Sequence, residues 1–303
     1  MGEKICYFNG EYIRESEARI NILDRGLWEG GVYDVGRTYN SVPFKLKEHV
    51  DRFFRSLRCL PFIKFDLSPE EVTAVILRVF KRNEEYLKQD TDCTFVYRLT
   101  RGVLSSQPPR PTFYVHLQSL VPNYNQMAKW YQEGAHMVVA STRQIPPQCL
   151  DPKIKHTNRL CNLLADYEAK MVDPEAFALM LDINGFATEC PINNFFIVKD
   201  GKLFTSRMMN CLPGITRQAV LELVPALKIE CVEKDLAVYD LCNADEIMIT
   251  GTSFAIIPVS KFNGRVLPTQ MPGAITKQLQ AAFSKNVNYD IVRRVLDYVQ
   301  TKE

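Results

Sequence analysis

The chain has 303 residues, of which 46% are hydrophobic and 11% aromatic, so it can bury a sizeable core and is long enough for two domains. Its 37 basic and 35 acidic residues leave a net charge of +2, and no basic stripe is interleaved with aromatic residues, which argues against a nucleic-acid partner. No apolar run approaches the roughly 20 residues that cross a bilayer, and the first residues show no basic-then-apolar signal. We therefore expect a cytoplasmic protein without a membrane partner.

The cysteine and histidine residues give no sign of a disulfide bond or a metal site. The nine cysteines include no Cys-x-x-Cys pair, which predicts reduced thiols in a reducing compartment. The four histidines show no metal-ligand spacing, so no metal is predicted. A small-molecule anion remains a candidate ligand.

Turn dipeptides divide the chain into short segments that predict antiparallel strands. Asn-Gly or Asp-Gly pairs begin at Asn9, Asn184, Asp200 and Asn263, each between short apolar or alternating runs. Such pairs accept the positive φ values of tight hairpin turns at low steric cost. The protein is therefore predicted to be rich in antiparallel strands.

Amphipathic patterns between these turns predict helices. Apolar residues recur on one helical face over residues 49–60 and again over residues 158–171, where Asn158 is the predicted N-cap. The apolar face of the second helix consists of Leu160, Leu163, Leu164, Tyr167 and Met171. Strands and helices are intermixed rather than strictly alternating, which favours an α+β class.

The pattern is interrupted after the predicted strand 112–120, where a Val-Pro-Asn-Tyr-Asn segment follows. This interruption predicts a smaller N-terminal domain over residues 1–120. It predicts an interdomain linker over residues 121–130 and a larger C-terminal domain over residues 131–303.

Three motifs suggest chemistry when they are taken in order. Lys155 lies in Lys-His-Thr-Asn-Arg-Leu, Glu189 ends Ala-Thr-Glu, and Leu212 begins Leu-Pro-Gly-Ile-Thr-Arg. A lysine amine can condense with an aldehyde, a carboxylate can hold a protonated ring nitrogen, and a glycine turn that opens a helix can bind phosphate. Each motif alone is weak, since a loop lysine is usually solvated and a Gly-x-Thr is usually a helix cap. Together they are what pyridoxal phosphate needs from a protein.

With these motifs, the chain resembles the fold-type IV (class IV) pyridoxal-phosphate-dependent aminotransferases. This family includes branched-chain and D-amino-acid aminotransferases, (R)-amine transaminases and aminodeoxychorismate lyase. The resemblance extends to Asp24-Arg25-Gly26, Glu48-His49-Val50-Asp51-Arg52, Gly251-Thr252-Ser253 and Ile257-Pro258-Val259.

The resemblance implies a two-domain α+β fold, with a smaller N-terminal α/β sandwich and a larger C-terminal, barrel-like domain that binds the cofactor. It implies that the cofactor lies in the crevice between the two domains. It also implies a homodimer in which a loop of the neighbouring subunit contributes to the pocket. The segment 105–111, with three prolines, is predicted to be an exposed loop, and its neighbour on the second subunit is expected to close the site.

Lys155 is the predicted catalytic residue, because the resemblance implies that its amine forms a Schiff base with the cofactor and later moves the substrate's α-proton. Lys153 is the competing lysine, but Lys155 has the Lys-x-x-Asn spacing of the family. Glu189 is implied to face the pyridine nitrogen, and Asn194 is implied to orient either the phenolic oxygen or Glu189. The other implied cofactor-binding residues are Arg52, Gly214, Ile215, Thr216, Gly251 and Thr252.

For the substrate, the resemblance implies contacts with Tyr33 and Ser253. A transaminase must also hold a carboxylate, and Arg37 and Arg98 are the candidates, although each could instead be a structural ion-pair partner. The leading hypothesis is an aminotransferase that moves an amino group between an amino acid (branched-chain-like) or a primary amine and a 2-oxo acid. The alternatives are an aminodeoxychorismate lyase that releases pyruvate, a D-amino-acid aminotransferase and a non-catalytic cofactor binder.

Overall fold

The computed structural model describes residues 3–89, 92–105 and 110–301 of the chain. Helices and strands are intermixed throughout, so the predicted α+β class is confirmed. The predicted loop 105–111 lies largely outside the described residues, which omit 106–109. No helix in the described part of the chain is both long and apolar enough to span a bilayer.

The chain divides into two compact units. The first comprises Met1–Pro122 and Ile154–Asn158, and the second comprises Asn123–Lys153 and Arg159–Glu303. The short segment that carries Lys155 therefore belongs to the first unit, although the residues on either side of it belong to the second. Residues 121–130, which the sequence analysis assigned to a linker, form a 3-10 turn and the first turns of an α-helix.

The described part of the first unit contains a six-stranded antiparallel sheet with helices packed on one face. Its strands are β1 (Ile5–Phe8), β2 (Glu11–Arg14), β3 (Gly31–Tyr39), β4 (Val42–Pro43), β5 (Cys93–Val103) and β6 (Arg110–Ser119), in the spatial order β2-β1-β6-β5-β3-β4. Its helices are α1 (Leu46–Arg58), α2 (Pro69–Arg82) and α3 (Glu84–Gln89). The helix predicted over residues 49–60 is confirmed as α1.

The core of the first unit lies between this sheet and helices α1 and α2. Phe53 of α1 and Tyr97 of β5 are fully buried, with ring centroids 5.1 Å apart. Val72 and Ile76 of α2 are buried in the same cluster. Residues three and four apart share one face of a helix, so each of these helices presents a continuous apolar stripe to the sheet.

The second unit is built on a ten-stranded mixed sheet within the described residues. Its strands are β7 (Ala135–Val139), β8 (Phe177–Leu181), β9 (Phe186–Glu189), β10 (Asn194–Lys199), β11 (Lys202–Thr205), β12 (Cys231–Glu233), β13 (Leu236–Ala237), β14 (Glu246–Gly251), β15 (Ala255–Phe262) and β16 (Arg265–Val266). The spatial order is β12-β11-β10-β14-β15-β7-β8-β9-β13, and β16 pairs with β15. The parallel pairs are β11 with β12, β7 with β8 and β7 with β15. Its helices are α4 (Tyr124–Glu133), α5 (Leu160–Val172), α6 (Ile215–Leu223), α7 (Val238–Cys242), α8 (Ala274–Asn286) and α9 (Arg293–Gln300).

All four predicted turn dipeptides connect neighbouring antiparallel strands. They join β1 to β2, β8 to β9, β10 to β11 and β15 to β16. Asn9, Asp200 and Asn263 have φ values of 48°, 51° and 47°, and Gly185 has a φ of 88°. These left-handed values are the ones that Asn, Asp and Gly tolerate best, which is why the dipeptides identified the hairpins.

Helix α5 packs on its sheet through small residues rather than through the predicted apolar face. Ala165 and Ala169 are fully buried in a cluster with residues of β7 and β8, because their short side chains let the helix approach the strands closely. The large apolar residues of the predicted face are between 49% and 74% exposed. The predicted N-cap is wrong: α5 begins at Leu160 after Arg159, and the Asn158 amide donates instead to the backbone oxygen of Glu29.

Candidate active site

Lys155 is held against the edge of β3 by backbone hydrogen bonds. The Tyr33 N–H donates to the Lys155 oxygen over 3.1 Å, and Val32 forms an antiparallel bridge with His156. Strand β5 occupies the other edge of β3 at these residues. The Lys155 backbone is therefore positioned as firmly as that of a strand residue, although it lies in a loop.

The Lys155 side chain lies beside Tyr33, with Nζ 4.5 Å from the ring centroid. On its backbone side, the Lys155 N–H donates to Ser56 Oγ over 2.9 Å. Ser56 is a buried residue of α1, and its hydroxyl donates to the Arg52 oxygen over 3.0 Å. The sequence analysis missed Ser56, because a serine in an amphipathic helix carries no motif.

Arg52 is buried on α1 and forms a two-point ion pair with Asp34 of β3. Arg52 Nε donates to Oδ2 and Nη2 donates to Oδ1, each over 2.8 Å. Both residues are almost completely buried. Such fork-like pairs fix the plane of the guanidinium as well as its position. Asp34 was also missed, because its partner Arg52 lies 18 residues further along the chain.

His49 completes this buried charged cluster. Its Nδ1 lies 2.7 Å from Asp34 Oδ1, and because an ionised carboxylate only accepts, Nδ1 carries the hydrogen. Burial lowers the pKa of His49, and the positive charges of Arg52 and Lys155 lower it further, against the opposing effect of Asp34. Burial alone would raise the pKa of Asp34, but Arg52 and His49 together hold it well below its ordinary value. Near neutral pH, Asp34 is therefore ionised and His49 neutral.

The two candidate carboxylate-binding arginines have different surroundings. Arg37 is 4% exposed, its guanidinium lies 4.1 Å from the Tyr39 ring centroid, and Nη2 is 3.7 Å from Asp92 Oδ1. Arg98 is exposed, and its guanidinium carbon lies 5.9 Å from the Tyr33 ring centroid. Arg37 thus has the contacts of the structural ion-pair alternative, and Arg98 is the arginine beside Tyr33.

Glu189, at the end of β9, is the centre of a hydrogen-bond cluster in the second unit. Gln144 Nε2 donates to Oε1 over 3.0 Å. Asn194 Nδ2 and the Leu212 N–H donate to Oε2 over 3.1 and 3.0 Å. These three donors are uncharged N–H groups, so they orient the buried carboxylate without neutralising its charge. The contact of Asn194 with Glu189 matches one of its two implied roles, whereas Gln144 lies outside the motifs and was missed.

The glycine turn places the start of α6 beside Asn194. Gly214 is the N-cap of α6, and a Cβ at this position would lie 2.0 Å from Asn194 Oδ1, so a larger residue would collide. Gly214 also has no side chain with which to cap the helix. The first-turn N–H groups of Ile215 and Thr216 are therefore of the kind that bind anions at helix N-termini.

The segment Gly251-Thr252-Ser253 lies at the turn between β14 and β15. Gly251 ends β14 and pairs with Ala255, and a Cβ on Gly251 would lie 2.0 Å from Asn193 Nδ2. Thr252 and Ser253 are partly exposed in the turn itself. This turn therefore approaches Asn193, the chain neighbour of Asn194.

Comparisons with known proteins agree on one family. Residues 31–262 match the family model described as amino-transferase class IV. The chain is 35% identical over 284 residues to a putative branched-chain-amino-acid aminotransferase of Methanocaldococcus jannaschii, covering 91% of this chain and 94% of that protein. It is 30% identical over 294 residues to a D-alanine aminotransferase of Bacillus licheniformis, covering 95% of this chain and 99% of that protein.

A solved structure shows the same fold. The branched-chain amino acid aminotransferase from Escherichia coli superposes with a TM-score of 0.80 at 26% identity, over 93% of each chain. The family match covers most of the chain, and the sequence similarity extends over nearly its full length. The chain belongs to the class IV aminotransferase family, as its motifs predicted.

Proposed function

We propose that this protein is a pyridoxal-phosphate-dependent aminotransferase that moves an amino group between an amino acid (branched-chain-like) or a primary amine and a 2-oxo acid. The observation that carries the proposal is the placement of the Lys155 amine beside Tyr33, on a backbone fixed to β3, in a chain of this family. A covalent catalyst needs its amine held in one place, and this strand pairing provides that.

The residues present fit the cofactor. When bound, pyridoxal phosphate supplies an aldehyde carbon that bonds to an amine and a ring that accepts electrons as the substrate's α-hydrogen leaves. Glu189 receives three N–H donors, which favour the ionised carboxylate that a protonated pyridine nitrogen requires. The close approach of Gly214 to Asn194 leaves room for backbone donors but for no side chain, as a phosphate-binding turn demands.

Phosphate binding is assigned to the start of α6 and to Arg52. The N–H groups of Ile215 and Thr216 lie at the positive end of the helix, and Thr252 offers a hydroxyl from the β14–β15 turn. Arg52 contributes charge from a guanidinium whose plane Asp34 fixes. Asp34 is thus a support for Arg52 in this proposal.

Lys155 has two roles in the proposed reaction. Its Nζ would hold the cofactor by condensing with the aldehyde carbon, with loss of water, and when free of that bond the neutral amine would take the proton from the substrate's α-carbon. The Tyr33 ring restricts where that amine can move. Arg98 holds the substrate carboxylate beside Tyr33, with Ser253 as a further substrate contact, whereas Arg37 keeps its ion pair with Asp92.

Reduction and peptide mapping test the assignment of Lys155. The purified protein is incubated with pyridoxal phosphate, reduced with borohydride and digested, and the pyridoxyl group is expected on the peptide that contains Lys155. Lys155→Ala should lose both the adduct and the activity, and Lys153→Ala is the matched control that should keep both. An adduct on any other lysine would contradict the proposal.

A donor panel tests the substrate class. Each half-reaction is followed by the visible absorption spectrum of the bound cofactor. Branched-chain L-amino acids are expected to change this spectrum, and 2-oxo acids are expected to restore it. Conversion by D-alanine instead would favour the D-amino-acid alternative, which the similarity to a D-alanine aminotransferase supports. Pyruvate release from aminodeoxychorismate would indicate the lyase. Cofactor binding with no half-reaction at all would indicate a non-catalytic binder.

A homodimer is proposed from the exposed apolar face of α5. The side chains on this face are Leu160, Leu163, Leu164, Tyr167, Met171 and Val172, all at least 49% exposed. Contiguous apolar surface on a helix normally marks an interface, and a second copy is the partner that the family resemblance implies. Light scattering should give twice the chain mass for the wild type and the chain mass for Leu163→Lys, with Lys228→Glu as a surface control. A wild-type monomer would contradict the proposal.

The cytoplasmic location of the protein stays a prediction.

A further inference from the structure

Gln144 is a buried residue of the second unit whose side chain reaches the Glu189 carboxylate. Its Nε2 donates to Glu189 Oε1 over 3.0 Å. Its backbone N–H donates to the Leu181 oxygen over 2.9 Å, at the end of β8. Strand β8 pairs with β9, which carries Glu189. The donor and the acceptor are therefore held by the same part of the sheet, and their contact does not depend on a flexible loop end.

The donors on Glu189 are divided between its two oxygens. Gln144 donates to Oε1, whereas Asn194 and the Leu212 N–H donate to Oε2. A carboxylate fixed at both oxygens cannot rotate about its terminal bond. The Gln144 contact thus sets the rotation of the carboxylate plane, which contacts at Oε2 alone would leave adjustable.

We propose that Gln144 is a positioning residue that keeps the Glu189 carboxylate ionised and aimed at the pyridine nitrogen of the cofactor. This inference rests on the proposed function of Glu189. An amide N–H stabilises a carboxylate without neutralising it, so the negative charge remains available to a protonated ring nitrogen. A carboxylate at position 144 would repel Glu189, and one proton would then be shared between the two acids.

The test compares Gln144→Met and Gln144→Glu with the wild type, using the full chain loaded with ¹⁵N-labelled pyridoxal phosphate. The ring-nitrogen chemical shift is followed against pH, and cofactor affinity is measured by fluorescence. Gln144→Met removes the donor while keeping the side-chain length, and it should weaken cofactor binding about 10-fold, as expected for one lost hydrogen bond to a charged group. In Gln144→Met the ring nitrogen should lose its proton at a lower pH than in the wild type. Gln144→Glu adds a second negative charge beside Glu189, so in that variant the ring nitrogen should keep its proton to a higher pH than in the wild type.

Gln280→Leu is the matched control. Gln280 is also a buried glutamine of the second unit, and its amide donates to the Ile256 oxygen over 3.1 Å. This control should show an unshifted ring-nitrogen titration even if it loses stability.

Two results would overturn the inference. If both Gln144 variants bind cofactor and titrate as Gln280→Leu does, Gln144 has no positioning role, while the proposed function stands. If the wild type itself binds no pyridoxal phosphate, the proposed function fails and the inference fails with it. Should Gln144→Met not fold, the Gln144→Glu titration decides the question alone.

Discussion

Asp34 in the first unit and Glu189 in the second are both buried carboxylates surrounded by donors, but the donors differ in charge. Asp34 meets the Arg52 guanidinium at two points and the His49 ring at a third. Glu189 meets two side-chain amides and one backbone N–H. The charge of Asp34 is therefore balanced inside the protein, whereas the donors described around Glu189 orient its charge and leave it in place.

This difference in donor charge indicates different roles for the two carboxylates. Removing one partner of a buried ion pair strongly destabilises a fold, because the other partner is left as an uncompensated buried charge. Amide donors favour the ionised form of a carboxylate without cancelling its charge, and the proposed function assigns that charge to the cofactor. We infer that Asp34 is chiefly a structural group and that Glu189 is chiefly a functional one.

The largest expected effect is on stability and concerns Asp34. Asp34→Asn leaves the buried Arg52 without its counter-charge and should lower the free energy of unfolding by about 3–5 kcal/mol. Glu189→Gln should lower it by only about 1 kcal/mol, since neutral donors can rearrange around an amide. Denaturant unfolding measures both values, and the double variant Asp34→Asn with Arg52→Met should recover part of the loss. Equal losses of unfolding free energy in the two single variants would contradict the inferred difference between Asp34 and Glu189.

The second effect is on catalysis and concerns Glu189. Glu189→Gln removes the charge that we propose holds a proton on the ring nitrogen, and it should lower kcat by at least about 100-fold, the scale of other lost electrostatic contacts in active sites. The folded structure should be retained, as judged by circular dichroism. Full activity in this variant would show that the carboxylate has no catalytic part.

The third effect is the pH dependence of stability and belongs to the Asp34 cluster. His49 has a lowered pKa in the folded state, so below about pH 6.5 the unfolded chain binds the extra proton and stability falls with acidification, by at most about 1.4 kcal/mol per pH unit. The lowered pKa of Asp34 adds stability that is complete above about pH 4 and is lost as the pH falls below that value. Urea midpoints at pH 7, 5 and 3.5 test both windows.

The matching controls for this pH series are single variants. Asp34→Asn should lose less stability than the wild type as the pH falls below 4, and His49→Asn should flatten the slope between pH 7 and pH 5. A wild type with constant stability from pH 7 to pH 5 would contradict the role of His49.

The smallest expected effect concerns the contact that ties this cluster to Lys155. Ser56→Ala removes the acceptor of the Lys155 N–H and should cost about 1 kcal/mol of stability. Activity should fall less than 10-fold, because β3 still holds the same backbone segment. Ser56→Thr keeps the hydroxyl and is the rescue variant. A loss of activity as large as that of Glu189→Gln would mean that Ser56 does more than support the loop.

Local structure was predictable where neighbouring residues decide it. The Asn-Gly and Asp-Gly pairs identified the hairpins because only a few residue types adopt positive φ easily. The apolar spacing of α1 identified the helix and two residues of its buried face, Val50 and Phe53, but not the polar side chains of His49, Arg52 and Ser56 that are buried with them. In α5 the same kind of spacing identified the helix, but the face that packs on the sheet is the alanine face. Periodicity reports where the large apolar residues lie, and it does not report which element covers them.

The candidate site was predictable as a set of residues but not as a set of contacts. Lys155, Glu189 and Gly214 were found because their order along the chain matches a family. The residues that support Arg52, Lys155 and Glu189 are Asp34, Ser56 and Gln144, and each lies between 18 and 99 residues along the chain from the residue that it supports.

By itself, the sequence determined the hairpin turns, the existence of helices α1 and α5 and the family, because each depends on residue type and on spacing along the chain. The tertiary structure alone decided which side chain meets each charge: Arg52 with Asp34, Gln144 with Glu189, Lys155 with Tyr33. The physical reason is that a buried charge takes its partner from whichever elements the packing of the core brings to it. That packing is a property of the whole unit rather than of any segment.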